Sequence, residues 1–314
     1  MEAIELLKNI QQNMSKTVIG KENVTVLLLV SLLCKGHVLI EDIPGLGKTT
    51  IVESLAHSID CTFRRIQFTP DVLPSDITGF SVYDMQSGER RFQKGAVMGQ
   101  IVLADEINRT SPKTQSALLE VMQENQITVD GVTLPMPQPF MVLATQNPIE
   151  FTGTYPLPEA QMDRFLMRVR IGYPSRRQEI EIMNRHFSDG ALLPKDLQAV
   201  ASADDVIALQ TAVDEIRCAD EVLEYIMDLV EATRQHADVL IGVSPRGSIG
   251  LLHAAKALAL LSRRDYVTPD DVKRMAKPVL AHRLVLRPQV AANRYAAEAI
   301  IDDVLKSVSI PLVV

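Results

Sequence analysis

Short apolar runs alternate with amphipathic stretches through roughly the first 180 residues, and beyond about residue 190 the apolar positions recur with a helical period and no convincing strand. Strands are expected at His37–Ile40, Phe63–Phe68, Gln100–Ala104, Phe140–Ala144 and Arg168–Ile171. Three of them are almost wholly apolar, as strands are when helices cover both faces of a parallel sheet. The expected fold class is therefore α/β, a parallel sheet flanked by helices, followed by an all-α C-terminal domain. The boundary falls near Asp189-Gly190 and divides the chain into residues 1–189 and 190–314. Ligands of such sheets bind beyond the carboxyl ends of the strands, and the polar motifs of this chain cluster there.

Two segments interrupt the alternation, Ser81–Gln93 around Ser87-Gly88 and Gln126–Leu134 around Asp130-Gly131. Both read as hairpin inserts, spanning about 77–97 and 126–134, that project without helping to bury the sheet. The apolar run Val24–Leu33 lies between Lys21 and Lys35 and is far shorter than the roughly 18–20 residues a membrane span requires, so it reads as a buried helix. In the C-terminal part, Thr268-Pro-Asp-Asp-Val272 starts a helix with a capping hydroxyl, an early proline and acids in the first turn. Ser244-Pro245-Arg246 repeats the cap and proline ahead of the apolar stretch Ile249–Leu261.

With 314 residues, 46% of them hydrophobic and 23% charged, the chain can fill the cores of two ordinary globular domains. Its 32 basic against 39 acidic residues leave a net charge of −7, which disfavours broad attraction to nucleic acid or to anionic membrane. Cys34, Cys61 and Cys218 are odd in number and scattered, as buried reduced thiols are. The start, Met1-Glu-Ala-Ile-Glu5, lacks the basic region of a secretory signal, so a cytoplasmic home is expected. No His-Glu-x-x-His or Gly-x-Ser-x-Gly pattern occurs, which leaves zinc hydrolysis and serine esterase chemistry unsupported.

The chemistry points elsewhere. Ile43-Pro-Gly-Leu-Gly-Lys-Thr-Thr50 lies between an apolar strand and an amphipathic helix. Gly45 and Gly47 let successive N–H groups turn inward, and the following helix directs its positive end to the same spot, which makes a polyphosphate cradle. Lys48 would reach the outer phosphates and the Thr49 hydroxyl would hold Mg²⁺. The pattern departs from the full phosphate-loop motif at its first glycine, where Asp42 stands; Asp42 is expected to orient the loop through backbone amides. The strand Ile101–Ala104 ends on Asp105 and Glu106, whose neighbouring side chains point in different directions, one suited to Mg²⁺ and one to polarising an attacking water. Asn147, at the end of another strand, could bind that water or the terminal phosphate, or simply shape a turn before Pro148. Arg164 could stabilise transition-state charge or pair with Asp163. Arg246 sits in the first turn of a helix, against the dipole, where an anionic ligand or solvent screening would offset its cost.

In order, the loop at 42–49, Asp105-Glu106, Asn147, Arg164 and Arg246 resemble the Walker A, Walker B, sensor 1, arginine finger and sensor 2 of AAA+ ATPases. The words around them, Val18-Ile-Gly-Lys21, Glu41-Asp-Ile-Pro-Gly-Leu-Gly-Lys-Thr49, Ala104-Asp-Glu-Ile-Asn-Arg109, Ala144-Thr-Gln-Asn-Pro148, Leu157-Pro-Glu-Ala160 with Asp163-Arg-Phe165, and Gly242-Val-Ser-Pro-Arg-Gly247, resemble the MoxR family across nearly the whole chain. The resemblance implies ATP and Mg²⁺ as cofactors, a helical lid, and Ile19, Gly20, Pro44, Gly45, Leu46, Gly47, Lys48, Thr49 and Thr50 against the nucleotide. It further implies a ring, a hexamer in this family, with ATP between adjacent subunits and Arg164 supplied by the neighbour. Its partners would be a client protein complex, often beside a protein carrying a von Willebrand factor A domain. A nucleic-acid motor using Arg90, Arg91 and Lys94, a small-molecule kinase, and an ATP-gated scaffold of low turnover stay open as alternatives.

Overall fold

The computed structural model describes residues 2–83, 85, 89–147, 153–187 and 192–311. The expected boundary at Asp189-Gly190 and the Ser87-Gly88 turn lie outside them. All five expected strands form, as β1 (Val38–Glu41), β2 (Phe63–Gln67), β3 (Ile101–Asp105), β4 (Met141–Gln146) and β5 (Met167–Val169). They pair in parallel in the order β2-β3-β4-β1-β5, which places β1 between β4 and β5 and leaves β2 on an edge.

Ten helices of eight residues or more accompany the sheet among the described residues: α1 (Glu2–Ser15), α2 (Glu22–Leu33), α3 (Lys48–Ser58), α4 (Pro112–Glu124), α5 (Arg176–His186), α6 (Ala203–Asp214), α7 (Asp220–Gln235), α8 (Pro245–Leu261), α9 (Pro269–Leu280) and α10 (Ala296–Ser307). Their ends follow the local chemistry. Ser111 caps α4 by accepting from the Thr114 amide at 3.3 Å, and Asn125 ends it in the left-handed region at φ 51°. At the start of α9, Asp271 Oδ2 accepts from the Thr268 amide and hydroxyl, each at 2.8 Å, and Arg264 grips Asp271 with two bonds of 2.6 and 2.7 Å. None of the helices is long and apolar enough, among the described residues, to cross a membrane.

Alternation along the strands divides the interior in two. Val38, Ile40, Leu103 and Leu143 face one apolar cluster, which continues through α1 and α2 into Tyr225, Leu251, Val272 and Ile301 of the C-terminal helices. Leu39, Val102 and Val142 face the other, closed by Leu118, Phe68 and Phe165. The lid helices α6 to α10 thus share one core with a face of the sheet.

Three expectations need correction. Both hairpins form, Gly79–Tyr83 with Arg90–Lys94 and Gln126–Val129 with Val132–Pro135, the second turning at Asp130 and Gly131 with φ of 50° and 79°. They do not merely project, however: Ile127 is buried in the second cluster, and Phe92 and Leu134 pack against it. The C-terminal part also holds a small antiparallel pair, Val239–Ile241 with Val285–Leu286, too short for its alternation to stand out from the surrounding helices. Finally, Ser244 stands at the N-cap of α8 without capping it; its hydroxyl turns to Asp163 at 3.3 and 3.4 Å. The thiols are free as expected, with Cys61 buried and Cys34 and Cys218 partly so.

Candidate nucleotide site

At the carboxyl end of β1 the chain passes through Asp42 into the glycine loop. Gly45 and Gly47 adopt φ of 84° and 80°, and a Cβ on either would meet nothing within 4 Å, so the loop is an open concavity of backbone amides. Gly47 is the N-cap of α3, whose first two residues are Lys48 and Thr49. Lys48 Nζ donates to the Asp42 carbonyl at 2.6 Å. Burial pulls its pKa down, against the opposing pull of Asp105, Asp42 and Glu106.

The residue at the first-glycine position has its own task. Asp42 is buried; Oδ1 accepts from the Ile43 amide at 3.0 Å, and Oδ2 accepts from the Ile171 and Gly172 amides at 2.8 and 2.7 Å. Asp42 does not have positive φ, so no glycine is required there. The loop is thereby tied to the segment after β5 as well as to itself, the first being a link that its sequence did not disclose.

Lys48, Thr49, Thr50, Pro44, Gly45 and Gly47 line a cavity of about 340 Å³ together with Asp105, Glu106 and Asn147. Five of the residues singled out for chemistry, Lys48, Thr49, Asp105, Glu106 and Asn147, therefore converge. The register makes this happen, since β3 and β4 end side by side next to β1. The Thr145 hydroxyl of β4 donates to Asp105 Oδ1 at 2.7 Å and accepts from the Glu106 amide at 2.9 Å, fixing both acids from one oxygen. Glu106 takes φ of 57°, and this left-handed turn aims its side chain away from the strand.

Two further lining residues, Arg65 and Gln67, are absent from the sequence reading. Arg65 meets Asp105 Oδ2 at 2.6 Å and also donates to Gln67 Oε1 at 3.1 Å. Gln67 Nε2 in turn donates to Glu106 Oε2 at 2.8 Å, and Arg109 reaches the same oxygen at 3.1 Å. The available signal was the alternation Arg65-Ile66-Gln67, which puts two polar side chains on one face of a strand that pairs with the apolar β3. Thr145 gave a fainter signal of the same kind.

An adjoining cavity of about 200 Å³ shares Gly45, Gly47 and Thr50 and is walled by Val18, Ile19, Leu46, Ile51, Pro174 and Ile182. Ile19 and Leu46 thus share one apolar wall with Pro174 and Ile182, which are supplied from the turn before α5 and from α5 itself. Gly20 does not line this cavity; a Cβ there would fall 2.0 Å from Gln178 of α5, so its φ of 66° serves close packing.

Arg164 and Arg246 lie elsewhere. Neither lines the phosphate cavity of its own chain. Asp163, next to Arg164, pairs with the buried Arg283 at 2.8 Å and approaches Arg246 at 3.9 Å. The anion that the first turn of α8 calls for is therefore at hand in Asp163, and the Asp163–Arg164 pair does not form.

A glycine loop after β1, acids on β3, a polar residue closing β4 and a helical lid are the architecture of an AAA-type ATPase domain. Residues 37–167 match the ATPase family associated with various cellular activities, and residues 231–304 match the AAA lid domain. The chain is 50% identical over 98% of its length to the uncharacterized protein YeaC of Bacillus subtilis, covering 95% of that protein. It is 43% identical over 95% of its length to Chaperone MoxR1 of Mycobacterium tuberculosis, covering 80% of it. To Protein MoxR of Paracoccus denitrificans it is 32% identical, covering 94% of this chain and 93% of that one. A crystal structure from Cytophaga hutchinsonii, assigned as an ATPase, superposes with a TM-score of 0.92 at 39% identity, over 99% of this chain and 96% of that one. The chain belongs to the MoxR family of AAA+ ATPases.

Proposed function

We propose that this chain is a Mg-ATP hydrolysing motor that remodels or activates partner protein complexes, assembled as a ring in which neighbouring copies complete each other's sites. The observation that carries the reading is the convergence of Lys48, Thr49, Asp105, Glu106 and Asn147 on one cavity beside an open amide cradle. The cradle and Lys48 would bind the β- and γ-phosphates. Thr49 and Asp105 would hold Mg²⁺, which supplies charge neutralisation between the outer phosphate oxygens. These hard oxygen donors fit such an ion. Among the described residues no group of three or more His, Cys, Asp or Glu suited to a metal occurs, and an ion sharing its shell with phosphates and water needs none.

Glu106 would polarise the attacking water and Asn147 would place it. The base would lie between Ile19, Leu46 and Ile182. Arg164 is given to the neighbour's site because it stands away from its own, and Arg246 on the lid, 3.9 Å from Asp163, would couple nucleotide state to lid angle. Six copies, a domain division at residues 189 and 190, and a cytoplasmic setting go with this reading. Action on proteins is supported by the chaperone name of the Mycobacterium tuberculosis relative, and a von Willebrand factor A domain protein is the proposed companion.

Phosphate release per chain should rise with protein concentration as the ring assembles. Glu106→Gln should bind ATP and leave it uncleaved, a drop of about a hundredfold or more in turnover. Turnover per chain that holds steady down to proven monomer would remove Arg164 from the reaction.

A further inference from the structure

Among the described residues, Arg65 is the one guanidinium that lines the cavity of Lys48 and Asp105 from its own chain. It lies on the edge strand β2, half exposed, with its terminal nitrogen 2.6 Å from Asp105 Oδ2, while the other oxygen of that carboxylate is held by Thr145. That Arg65-bound oxygen is the one a cation in the cavity would address.

We propose that Arg65 is a positioning residue that competes with the divalent metal for Asp105, so that the metal must displace the guanidinium before the site is set. The inference rests on the Mg-ATP reading above. Its reach extends to the second acid. The same Arg65 nitrogen donates to Gln67 Oε1, which orients the Gln67 amide so that its Nε2 donates to Glu106. Withdrawal of Arg65 from Asp105 therefore also releases the amide that restrains Glu106, and the state of the metal ligand is passed to the water-polarising acid through one carboxamide. Arg109 keeps a second hold on Glu106, so that acid is loosened rather than freed.

The alternative, that the pair is an ordinary half-exposed ion pair of small effect, makes a different forecast. Mn²⁺ is titrated into protein saturated with ADP, and free Mn²⁺ is counted by its electron paramagnetic resonance signal. Arg65→Gln should lower the half-saturating Mn²⁺ concentration by about three- to fivefold, as expected for removing one competing charge. Arg65→Lys, which keeps a charge but loses the planar fork, should fall between. An unchanged or raised half-saturation in both variants, each with the wild-type thermal melt, would overturn the proposal. So would a matching loss of ADP affinity in EDTA, which would put Arg65 on the phosphates instead. If wild-type protein binds no ADP with or without Mn²⁺, while it remains folded, the nucleotide reading itself fails, and that outcome is distinct from either.

Discussion

At the scale of single residues, the site is organised by side chains that accept several hydrogen bonds at once. Asp42 is the clearest. Three backbone amides converge on its two oxygens, one from the loop that it begins and two from the segment after β5. Replacing it by Asn would turn an NH₂ group toward amide donors and leave at least one of them unpaired. Asp42→Asn should therefore lose about 1–3 kcal/mol in urea denaturation and weaken nucleotide binding, while Asp42→Gly, which fits the usual loop pattern, should not restore either. That Lys48, Thr49, Asp105 and Glu106 would meet at one cavity was legible because few residue types suit phosphate or Mg²⁺, and their order along the strands left little freedom. Arg65, Gln67 and Thr145 were not read, since their importance comes from which strand ends beside which, and the register of a parallel sheet is written in no single segment.

Among the elements, strand existence was readable from apolar runs, and β1 to β5 all appear within one or two residues of their expected ends. The pair Val239–Ile241 and Val285–Leu286 was not, because two or three residues of β structure carry no period of their own. Packing between elements also buries groups whose charge is silent in the sequence. His37, at the start of β1, is fully buried; its Nδ1 accepts from the Val142 amide at 3.0 Å, which leaves Nε2–H to donate to the Met122 carbonyl at 2.9 Å. Burial pushes its pKa down to about 4 from an ordinary 6.5. The unfolded chain thus binds a proton that the folded chain refuses between those values, so stability is complete above pH 6.5 and falls as pH drops toward 4. The loss attributable to His37 should approach about 3 kcal/mol, and His282, also pushed down by burial and by Arg283, should add to it. Urea midpoints measured from pH 7.5 to 4.5 should trace that fall, and a flat profile would show that His37 is not held neutral.

For the molecule as a whole, the sheet and the lid are not independent bodies joined by a linker. One apolar cluster runs from α1 and α2 through a face of the sheet into α7, α8, α9 and α10. Charge follows the same route: Arg168 and Arg170 of the β5 edge bind Glu298 of α10 at 2.8 and 3.1 Å and Glu41 of β1 at 3.5 and 3.2 Å. Unfolding in urea without nucleotide should therefore be a single transition, with tyrosine fluorescence and far-ultraviolet circular dichroism coincident; two separated midpoints would show a lid that melts alone. One helix stands apart from this continuity. No side chain of α5 is buried, and Ile180, Ile182 and Met183 are all left exposed, yet Ile182 is a wall of the cavity proposed for the base. An adenine ring seated there would be to α5 what the interior is to every other helix, a neighbour against which to fold. Ordering of that corner and capture of fuel would then be a single event, and the protein would feel its cargo of energy first as a change in shape.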